Sequence, residues 1–219
     1  MKIRVSNAQE TMQVGKLLCI GRNYADHAKE MNADIPTEPM IFLKPSTALI
    51  RSQDVIVIPP QSQEVHHEVE LVVLIGKTGK HIPESEAMAY VAGYAVGLDM
   101  TARDLQAKAK KAGAPWSVAK GFDTFAPLGE FAPPESVPNP HELSITLRIN
   151  GEVRQSGRTS DMIFSIPKLI AYASTIFTLE AGDLLYTGTP EGVGAVHAGD
   201  ALEASVTGLP TLQVSVVQG

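Results

Sequence analysis

The chain has 219 residues, a hydrophobic content of 44% and a net charge of −6. This length and composition are sufficient for one sizeable core, and we predict a single domain over residues 1–219. Lysine and arginine are spread along the chain and form no basic run, which excludes the usual electrostatic signature of proteins that bind nucleic acids or anionic membranes. We therefore expect no nucleic-acid partner.

The N-terminal sequence contains no apolar stretch of signal-peptide length, and no window approaches the roughly 18 apolar residues of a membrane span. We therefore expect a cytoplasmic protein without a membrane partner. The single cysteine, Cys19, lies in an apolar run, which is typical of a small buried side chain in a reducing compartment. We assign it no chemical role.

Short apolar runs rich in β-branched residues and separated by glycine and proline predict many short strands. Helices are predicted over residues 24–31, 102–112 and 166–174, and Thr101 and Asp104 resemble a capping box at the start of the second. Asn150 and Gly151 form a strong two-residue hairpin signal. The expected fold class is α+β with strands dominant. The predicted strands cover residues 16–20, 40–43, 55–58, 69–75, 90–98, 144–149, 184–187 and 212–217.

Glu68 and Glu70 stand at the start of a predicted strand, and the period of two directs both carboxylates to one face. The rest of this strand is apolar on both faces, so the carboxylates lie at the edge of a core, where like charges cannot both ionise cheaply. Asp99 ends another apolar strand and offers a third oxygen ligand. Three carboxylates without cysteine favour Mg²⁺ or Mn²⁺ over zinc. An exposed strand end with two ordinary glutamates is the alternative interpretation.

Arg103 and Gln106 follow Asp99 at offsets of four and seven, which places them on roughly one helix face that can hold an anion beside a metal. Taken alone, Arg103 equally fits a surface ion pair. His66 and His67 precede the glutamates. Adjacent strand residues face opposite ways, so we expect at most one of these histidines to join the site.

His27 and Glu30 are three residues apart in the first predicted helix, a spacing that suits a base and the carboxylate that orients it. A carboxylate bound to one imidazole nitrogen leaves the other nitrogen free to take a proton from water. A solvated helix surface fits the same spacing.

The glycine loop at 187–194 follows a predicted strand, and its amides and hydroxyls could bind an anionic group. A nucleotide loop is disfavoured because no helix pattern follows it. Lys120 lies in a short polar segment and, on sequence grounds alone, is expected to be a solvated loop lysine.

Six segments resemble, in this order, the successive motifs of the fumarylacetoacetate hydrolase family: GRNYADHAKE, FLKP, HHEVELVVLIGK, GYAVGLDMTARDLQ, AKGFDTFAPLG and TGTPEGVG. The resemblance runs from about residue 16 to the C-terminus and is strongest to the short acylpyruvase and oxaloacetate decarboxylase branch. Each motif alone is weak, but six in order are specific, and they favour the functional interpretation of each pattern described above.

The resemblance implies a mixed β-sandwich roll with a few short helices, a homodimer, and a small 2-oxo acid as substrate. Larger members of the family carry a further aspartate ligand where this chain has the apolar run 17–20, so three protein ligands and bound waters are expected. The implied site residues are Glu68, Glu70 and Asp99 for Mg²⁺ or Mn²⁺, His27, Glu30 and Lys120 for catalysis, and Arg22, Arg103, Gln106 and Thr189 for substrate contacts.

The first hypothesis is therefore a metal-dependent hydrolase that cleaves a carbon–carbon bond in acylpyruvates such as fumarylpyruvate or acetylpyruvate, with oxaloacetate decarboxylation or tautomerisation as a further activity. The alternative is an isomerase or decarboxylase of 2-hydroxy-diene-dioate intermediates of aromatic catabolism. A non-catalytic β-rich binding module is the third. The enzymatic hypotheses share an enolate, so the sequence indicates the intermediate more firmly than the reaction.

Overall fold

The computed structural model describes residues 1–6, 11–30 and 34–219. Short strands dominate these residues. The first half of the chain forms β1 (Lys2–Ile3), β2 (Met12–Gln13), β3 (Leu17–Gly21), α1 (Ala25–Glu30), β4 (Met40–Lys44), β5 (Leu49–Arg51), β6 (Val55–Ile58), β7 (Val65–His67), β8 (Val69–Ile75), β9 (Val91–Leu98) and β10 (Thr101–Ala102). The second half forms α2 (Arg103–Ala112), α3 (Ser117–Lys120), β11 (Ala126–Leu128), β12 (Ser144–Ile149), β13 (Glu152–Arg158), α4 (Ile166–Ile176), β14 (Leu184–Tyr186), β15 (Gly194–Ala195), β16 (Ala201–Val206) and β17 (Leu212–Gln218). The 3-10 turns cover Ser46–Ala48, Glu84–Tyr90, Pro134–Ser136 and Thr159–Asp161.

The predicted strands and helices are present, with ends that differ by one or two positions. Met31, the predicted last residue of the first helix, lies outside the described residues. Asn150 and Gly151 connect β12 to β13 with φ angles of 52° and 84°, the left-handed values that a type I′ hairpin turn requires, so the hairpin prediction is confirmed. In the part of the chain that the structure describes, no helix is both long and apolar enough to cross a membrane.

The predicted capping box at the start of α2 is wrong. Ala102 occupies the N-cap position, and no side chain caps the helix there. The Thr101 hydroxyl lies 3.3 Å from Glu68 Oε1, and the Asp104 carboxylate accepts hydrogen bonds from residues 62–63. Both side chains are taken by tertiary partners, which a local pattern cannot reveal.

Two large sheets form the body of the structure. A seven-stranded mixed sheet has the order β4-β3-β14-β8-β9-β11-β5, and a five-stranded sheet has the order β13-β12-β16-β17-β6. Within them, the pairs β3 with β14, β5 with β11 and β6 with β17 are parallel. Smaller sheets join β10, β7 and β15, and β1 with β2. The predicted strand-dominated mixed β-sandwich roll is confirmed.

Strand β8 lies in the middle of the seven-stranded sheet and is buried along its whole length. Leu71 belongs to the core cluster that includes Ile145 of the five-stranded sheet. Val72 belongs to a second cluster on the opposite face. Because Glu68 and Glu70 share the parity of Val72, the two carboxylates project from the face turned away from the main core. The predicted burial of both faces of this strand is confirmed.

Candidate functional site

The antiparallel register of β8 and β9 brings the three predicted carboxylates together. Val69 pairs with Leu98, so Glu68 lies beside Asp99, and the Asp99 amide donates a hydrogen bond to the Glu68 carbonyl at 2.8 Å. Glu68, Glu70 and Asp99 are all buried, and one carboxylate oxygen of each lies within 4.8 Å of the others. Such a cluster of oxygens can hold a metal ion.

The buried side chain of Lys44, which was not among the predicted site residues, contacts one carboxylate oxygen of Asp99 without donating a hydrogen bond to it. The ammonium of Lys44 is 2.7 Å from Asp99 Oδ1, which is an ion pair by distance. Its three N–H groups, however, donate to the carbonyls of Met100, Lys120 and Phe125 at 2.5 to 2.9 Å. Asp99 Oδ1 is therefore buried without a hydrogen-bond donor. A buried carboxylate oxygen that has an ion-pair contact but accepts no hydrogen bond fits a ligand of a hard cation.

Glu70 is the carboxylate that most needs a cation. Burial and the negative charges of Asp99 and Glu68 raise the pKa of Glu70 well above its usual range. The Gly188 amide donates to Glu70 Oε2 at 2.7 Å and offsets part of this effect. A divalent ion between the three carboxylates would remove the repulsion, so the donor set fits Mg²⁺ or Mn²⁺.

Lys120 is 2% exposed and lies at the end of helix α3, so the expectation of a solvated loop lysine is wrong. Its Nζ donates to Glu68 Oε2 at 2.8 Å and to Asp99 Oδ2 at 2.7 Å. Burial by itself would lower the pKa of Lys120. The negative charges of Asp99 and Glu68 outweigh burial and raise this pKa above its usual value, so the side chain stays protonated. Burial by itself would raise the pKa of Glu68. The positive charges of Lys120 and Arg103 outweigh burial and hold this pKa well below its usual range.

Three neighbours fix the Arg103 guanidinium. Its Nη2 donates to Glu68 Oε1 at 2.6 Å, its Nη1 to Gln106 Oε1 at 2.8 Å and its Nε to His66 Nδ1 at 3.4 Å. His66 therefore accepts at Nδ1 and carries its hydrogen on Nε2, which lies 2.8 Å from Glu64 Oε1. His66 thus acts on the site through Arg103.

His67 faces the other way and contacts the site through a different residue. Gln155 Oε1 accepts from the Val69 amide at 3.0 Å and lies 2.9 Å from His67 Nδ1. Gln155 Nε2 donates to the Thr189 hydroxyl at 2.8 Å and to the Pro190 carbonyl at 2.9 Å. A carbonyl can only accept, so the amide orientation is fixed. Thr189 Oγ1 is then an acceptor from Gln155, and its own hydrogen is directed elsewhere.

The predicted pair of His27 and Glu30 lies at the same site. His27 is buried, and its Nδ1 is 3.2 Å from Glu30 Oε2. Glu30 Oε1 accepts from the Gly192 amide at 3.0 Å, so the carboxylate is held from both sides. In the neutral tautomer that donates from Nδ1 to Glu30, Nε2 of His27 is the hydrogen-bond acceptor.

The glycine loop binds anions, but they are the protein's own carboxylates. Its amides at Gly188 and Gly192 donate to Glu70 and Glu30. Both glycines have left-handed φ angles, 98° and 91°. A Cβ at Gly188 would be 2.6 Å from Asn23, and one at Gly192 would be 2.3 Å from the Arg154 carbonyl. Only glycine fits at these two positions.

One small cavity, of about 30 Å³, collects these groups, which is room for a water molecule or an ion. Of the ten predicted site residues, Glu30 and Asp99 do not line it, but each contacts a residue that does. A larger cavity of about 470 Å³ at the N-terminal strand contains none of the predicted site residues, and its lining offers no such chemistry. Its lining and that of the small cavity have no residue in common.

The sequence interpretation missed several residues of the site. Lys44 had a signal, because it lies in the FLKP segment, but its burial became visible only in the structure. Gln155 had none, since it is a polar residue in a largely exposed strand. Five further residues line the cavity without having been predicted as site residues, namely Ile20, Gly21, Phe42, Lys110 and Trp116.

Comparisons with known proteins identify the family to which this chain belongs. The model of the fumarylacetoacetate (FAA) hydrolase C-terminal family matches residues 16–217. Oxaloacetate tautomerase FAHD1, mitochondrial, of Rattus norvegicus is 52% identical over 200 residues, which cover 91% of this chain and 90% of the rat protein. The human protein of the same name is 50% identical over 91% of this chain and 90% of its own length.

Solved structures give the same result. Fumarylpyruvate hydrolase from Pseudomonas aeruginosa in complex with Mn²⁺ and pyruvate superposes with a TM-score of 0.96 at 41% identity, covering 100% of this chain and 96% of that one. The 5-carboxymethyl-2-hydroxymuconate delta-isomerase from Mycobacterium smegmatis superposes with a TM-score of 0.84 at 40% identity, covering 94% and 80%. On this evidence the chain belongs to the fumarylacetoacetate hydrolase family.

Proposed function

We propose that this chain is a Mg²⁺- or Mn²⁺-dependent hydrolase that cleaves a carbon–carbon bond of acylpyruvates. The observation that carries the proposal is the pair of His27 and Glu30 beside the three buried carboxylates. A base next to a cation site is what the attack of water on a diketo acid requires. Further support comes from the similar fumarylpyruvate hydrolase of P. aeruginosa, whose structure contains Mn²⁺ and pyruvate.

Glu68, Glu70 and Asp99 would hold the ion, and Mg²⁺ or Mn²⁺ bound there would supply Lewis-acid stabilisation of the negative charge that develops on the substrate oxygens. Arg103 retains N–H groups beyond those it uses within the protein, and we assign them to the substrate carboxylate. Gln106, Thr189 and Arg22 are assigned to substrate contacts because they line the same cavity.

In the proposed reaction, His27 takes a proton from water at Nε2 while Glu30 stabilises the resulting imidazolium. The water oxygen adds to the distal carbonyl carbon. The bond from that carbon to the neighbouring methylene then breaks, and its electron pair remains on the pyruvate fragment as an enolate. His27 then transfers its proton to the former methylene carbon of the enolate, which yields pyruvate and a carboxylic acid. Protonated Lys120 stabilises the negative charge as it forms.

Oxaloacetate tautomerisation is the second candidate, and the rat and human relatives named for it favour it. It needs only the removal and return of a proton next to a carbonyl, with no attack by water. The isomerase from M. smegmatis supports the alternative of double-bond isomerisation. Each reaction passes through an enolate, so the same side chains serve all three.

Pyruvate release from acetylpyruvate, fumarylpyruvate and oxaloacetate distinguishes these reactions when it is measured in parallel with Mg²⁺, with Mn²⁺ and after chelation. We expect metal-dependent release from the acylpyruvates. Release from oxaloacetate alone would indicate a decarboxylase, and no release would refute the hydrolase. Enol absorbance of oxaloacetate, followed in the same samples, tests the tautomerase. A chain inactive in every one of these assays leaves two candidates, the double-bond isomerase and the non-catalytic binding module.

We also propose that the chain acts as a homodimer, an expectation that rests on the family resemblance. Strand β4 is an edge of the seven-stranded sheet, and Leu43 on it is 43% exposed, while Val118 on the neighbouring helix α3 is 68% exposed. Exposed apolar side chains at a sheet edge need a cover. Light scattering should give twice the chain mass, and the mass of one chain would refute the dimer. The cytoplasmic location stays a prediction.

A further inference from the structure

The residues just before the carboxylate cluster are tied to the start of helix α2. Strand β7 pairs with β10 in a register that sets His66 opposite Thr101, and the amide of Arg103 donates to the carbonyl of Glu64 at 2.7 Å. Arg103 is the first residue of α2. This backbone pairing brings the two segments together at the point where the side chains of His66 and Arg103 meet.

Two residues of the strand segment hold the Arg103 guanidinium. Its Nε donates to His66 Nδ1 at 3.4 Å, and its Nη2 donates to Glu68 Oε1 at 2.6 Å. The guanidinium is planar and its N–H groups form a rigid fork, so contacts at two of its nitrogens set both its plane and its rotation. Without His66, Glu68 would hold the group from this side through Nη2 alone.

The hydrogen bonds from Glu64 to Gln106 all run in one direction. Arginine can only donate, so His66 Nδ1 is an acceptor and the imidazole hydrogen lies on Nε2, 2.8 Å from Glu64 Oε1. Gln106 Oε1 accepts from Arg103 Nη1 at 2.8 Å, which leaves the amide NH₂ of Gln106 to donate. Arg103 and Gln106 both line the cavity, and there they offer N–H groups, which suit a carboxylate.

We propose that Glu64 and His66 are positioning residues for recognition of the substrate carboxylate. Glu64 fixes the tautomer of His66, and His66 fixes the Nε of Arg103, so that Arg103 and Gln106 present donors to the carboxylate of a 2-oxo acid. Neither Glu64 nor His66 is among the described residues that line the cavity, so both act through Arg103. The inference rests on the proposed function, which assigns Arg103 and Gln106 to substrate contacts.

Two small ligands of the same shape separate carboxylate recognition from the rest of binding. Pyruvate and pyruvamide both offer two oxygens to a cation, but only pyruvate carries a negative charge for the guanidinium. Calorimetry of the Mn²⁺-loaded protein should show tighter binding of pyruvate. In His66→Leu the affinity for pyruvate should fall about fivefold, the effect of one hydrogen bond, while the affinity for pyruvamide stays as in the wild type.

Conservative and neighbouring variants test the proposed chain of contacts. His66→Asn should restore the preference for pyruvate, because asparagine places a carbonyl oxygen near the position of Nδ1 and can accept from Arg103. Glu64→Ala should cost about twofold in pyruvate affinity, since His66 can then take the other tautomer. The same change should cost nothing in the His66→Asn background, where the shorter side chain does not reach residue 64. His197→Leu, at a histidine whose side chain is 79% exposed, is the matched control.

Steady-state kinetics with an acylpyruvate adds a readout that a loss of packing alone would not give. His66→Leu should raise KM by a factor similar to the loss of pyruvate affinity and leave kcat nearly unchanged, because the carboxylate contact is the same in the ground state and the transition state. A lower kcat at unchanged KM would contradict a role in carboxylate recognition.

A wild type without a preference for pyruvate over pyruvamide would overturn the assignment. So would a His66→Leu variant that weakens both ligands by the same factor, or a His66→Asn variant as weak as His66→Leu. Failure of the proposed function looks different. A chain whose preference for pyruvate depends on His66, but which releases no pyruvate from acylpyruvates, has the carboxylate recognition and lacks the hydrolase activity.

Discussion

At the scale of single residues, the donors and acceptors already used within the protein decide what each side chain can offer to a substrate. Lys44 donates its three N–H groups to carbonyls, so Asp99 Oδ1 has an ion-pair contact with Lys44 but accepts no hydrogen bond. Gln155 donates its amide hydrogens to the Thr189 hydroxyl oxygen and the Pro190 carbonyl, so the Thr189 hydroxyl hydrogen can be donated to another group. Such assignments follow from the limited number of hydrogens on each group.

Replacement of His27 by alanine removes the proposed base. Pyruvate release from an acylpyruvate should fall by about 10² to 10⁴-fold, the usual contribution of a general base. Steady-state kinetics with saturating Mn²⁺ measures this loss. Lys29→Ala is the control, because Lys29 lies on the same helix and, among the described residues, forms an ion pair only with exposed Asp26. Wild-type hydrolysis in the His27 variant would refute the proposed role.

Gln155→Met should weaken binding of a 2-oxo acid because the Thr189 hydroxyl is no longer held. In a Thr189→Val background the same substitution should have little further effect on binding, so the double-mutant cycle should give an interaction energy of about 1 kcal/mol. Calorimetry measures the affinity of the wild type, of each single variant and of the double variant. Ser156→Ala, on an exposed neighbour, should be neutral. Additive losses would mean that Gln155 acts on stability and not through Thr189.

At the scale of elements, register and turn geometry place the carboxylates. The pairing of Val69 with Leu98 sets Glu68 beside Asp99, and a shift of one residue would turn Glu68 and Glu70 to the opposite face of the sheet. The glycine loop then supports Glu70 from one end and Glu30 from the other. Two distant parts of the chain thus meet at a loop whose amides are fixed by its backbone.

Gly192→Ala should destabilise the protein because a Cβ there would be 2.3 Å from a carbonyl oxygen in addition to requiring a φ of 91°. We expect a loss of about 2 kcal/mol or more in the free energy of unfolding, measured with urea, and reduced activity through Glu30. Gly199→Ala is the matched control. Gly199 has a similar φ of 96° but nothing within 4 Å of its Cβ position, so it reports the cost of backbone strain alone. Equal losses in the two variants would refute the steric argument.

At the scale of the whole molecule, buried charges tie stability to the cation. Three buried carboxylates lie next to three buried or half-buried cations, and Glu70 remains the least compensated. A ligand that binds only the folded state stabilises it in proportion to its saturation. Metal binding should therefore be visible in unfolding as well as in catalysis.

Mn²⁺ at about one hundred times its dissociation constant should raise the free energy of unfolding by about 2.7 kcal/mol. Glu70→Gln should abolish this increase without lowering the stability of the metal-free protein, because it removes a buried like charge. Thermal unfolding with Mn²⁺ and with a chelator makes the comparison. Glu203→Gln, which changes an exposed carboxylate, should keep the full response. An unchanged response in the Glu70 variant would exclude this residue as a ligand.

The sequence by itself determined the strands, the hairpin at Asn150 and Gly151, the family and eight of the residues that line the cavity. These follow from side-chain periodicity, turn chemistry and the order of six motifs, each of which is a pattern of residues close together in the sequence. The burial of Lys120, the capping of α2 and the contacts of Lys44 and Gln155 could not be predicted. Only the tertiary structure decided them, because each depends on partners that packing brings together from distant parts of the chain, and those partners leave no local pattern.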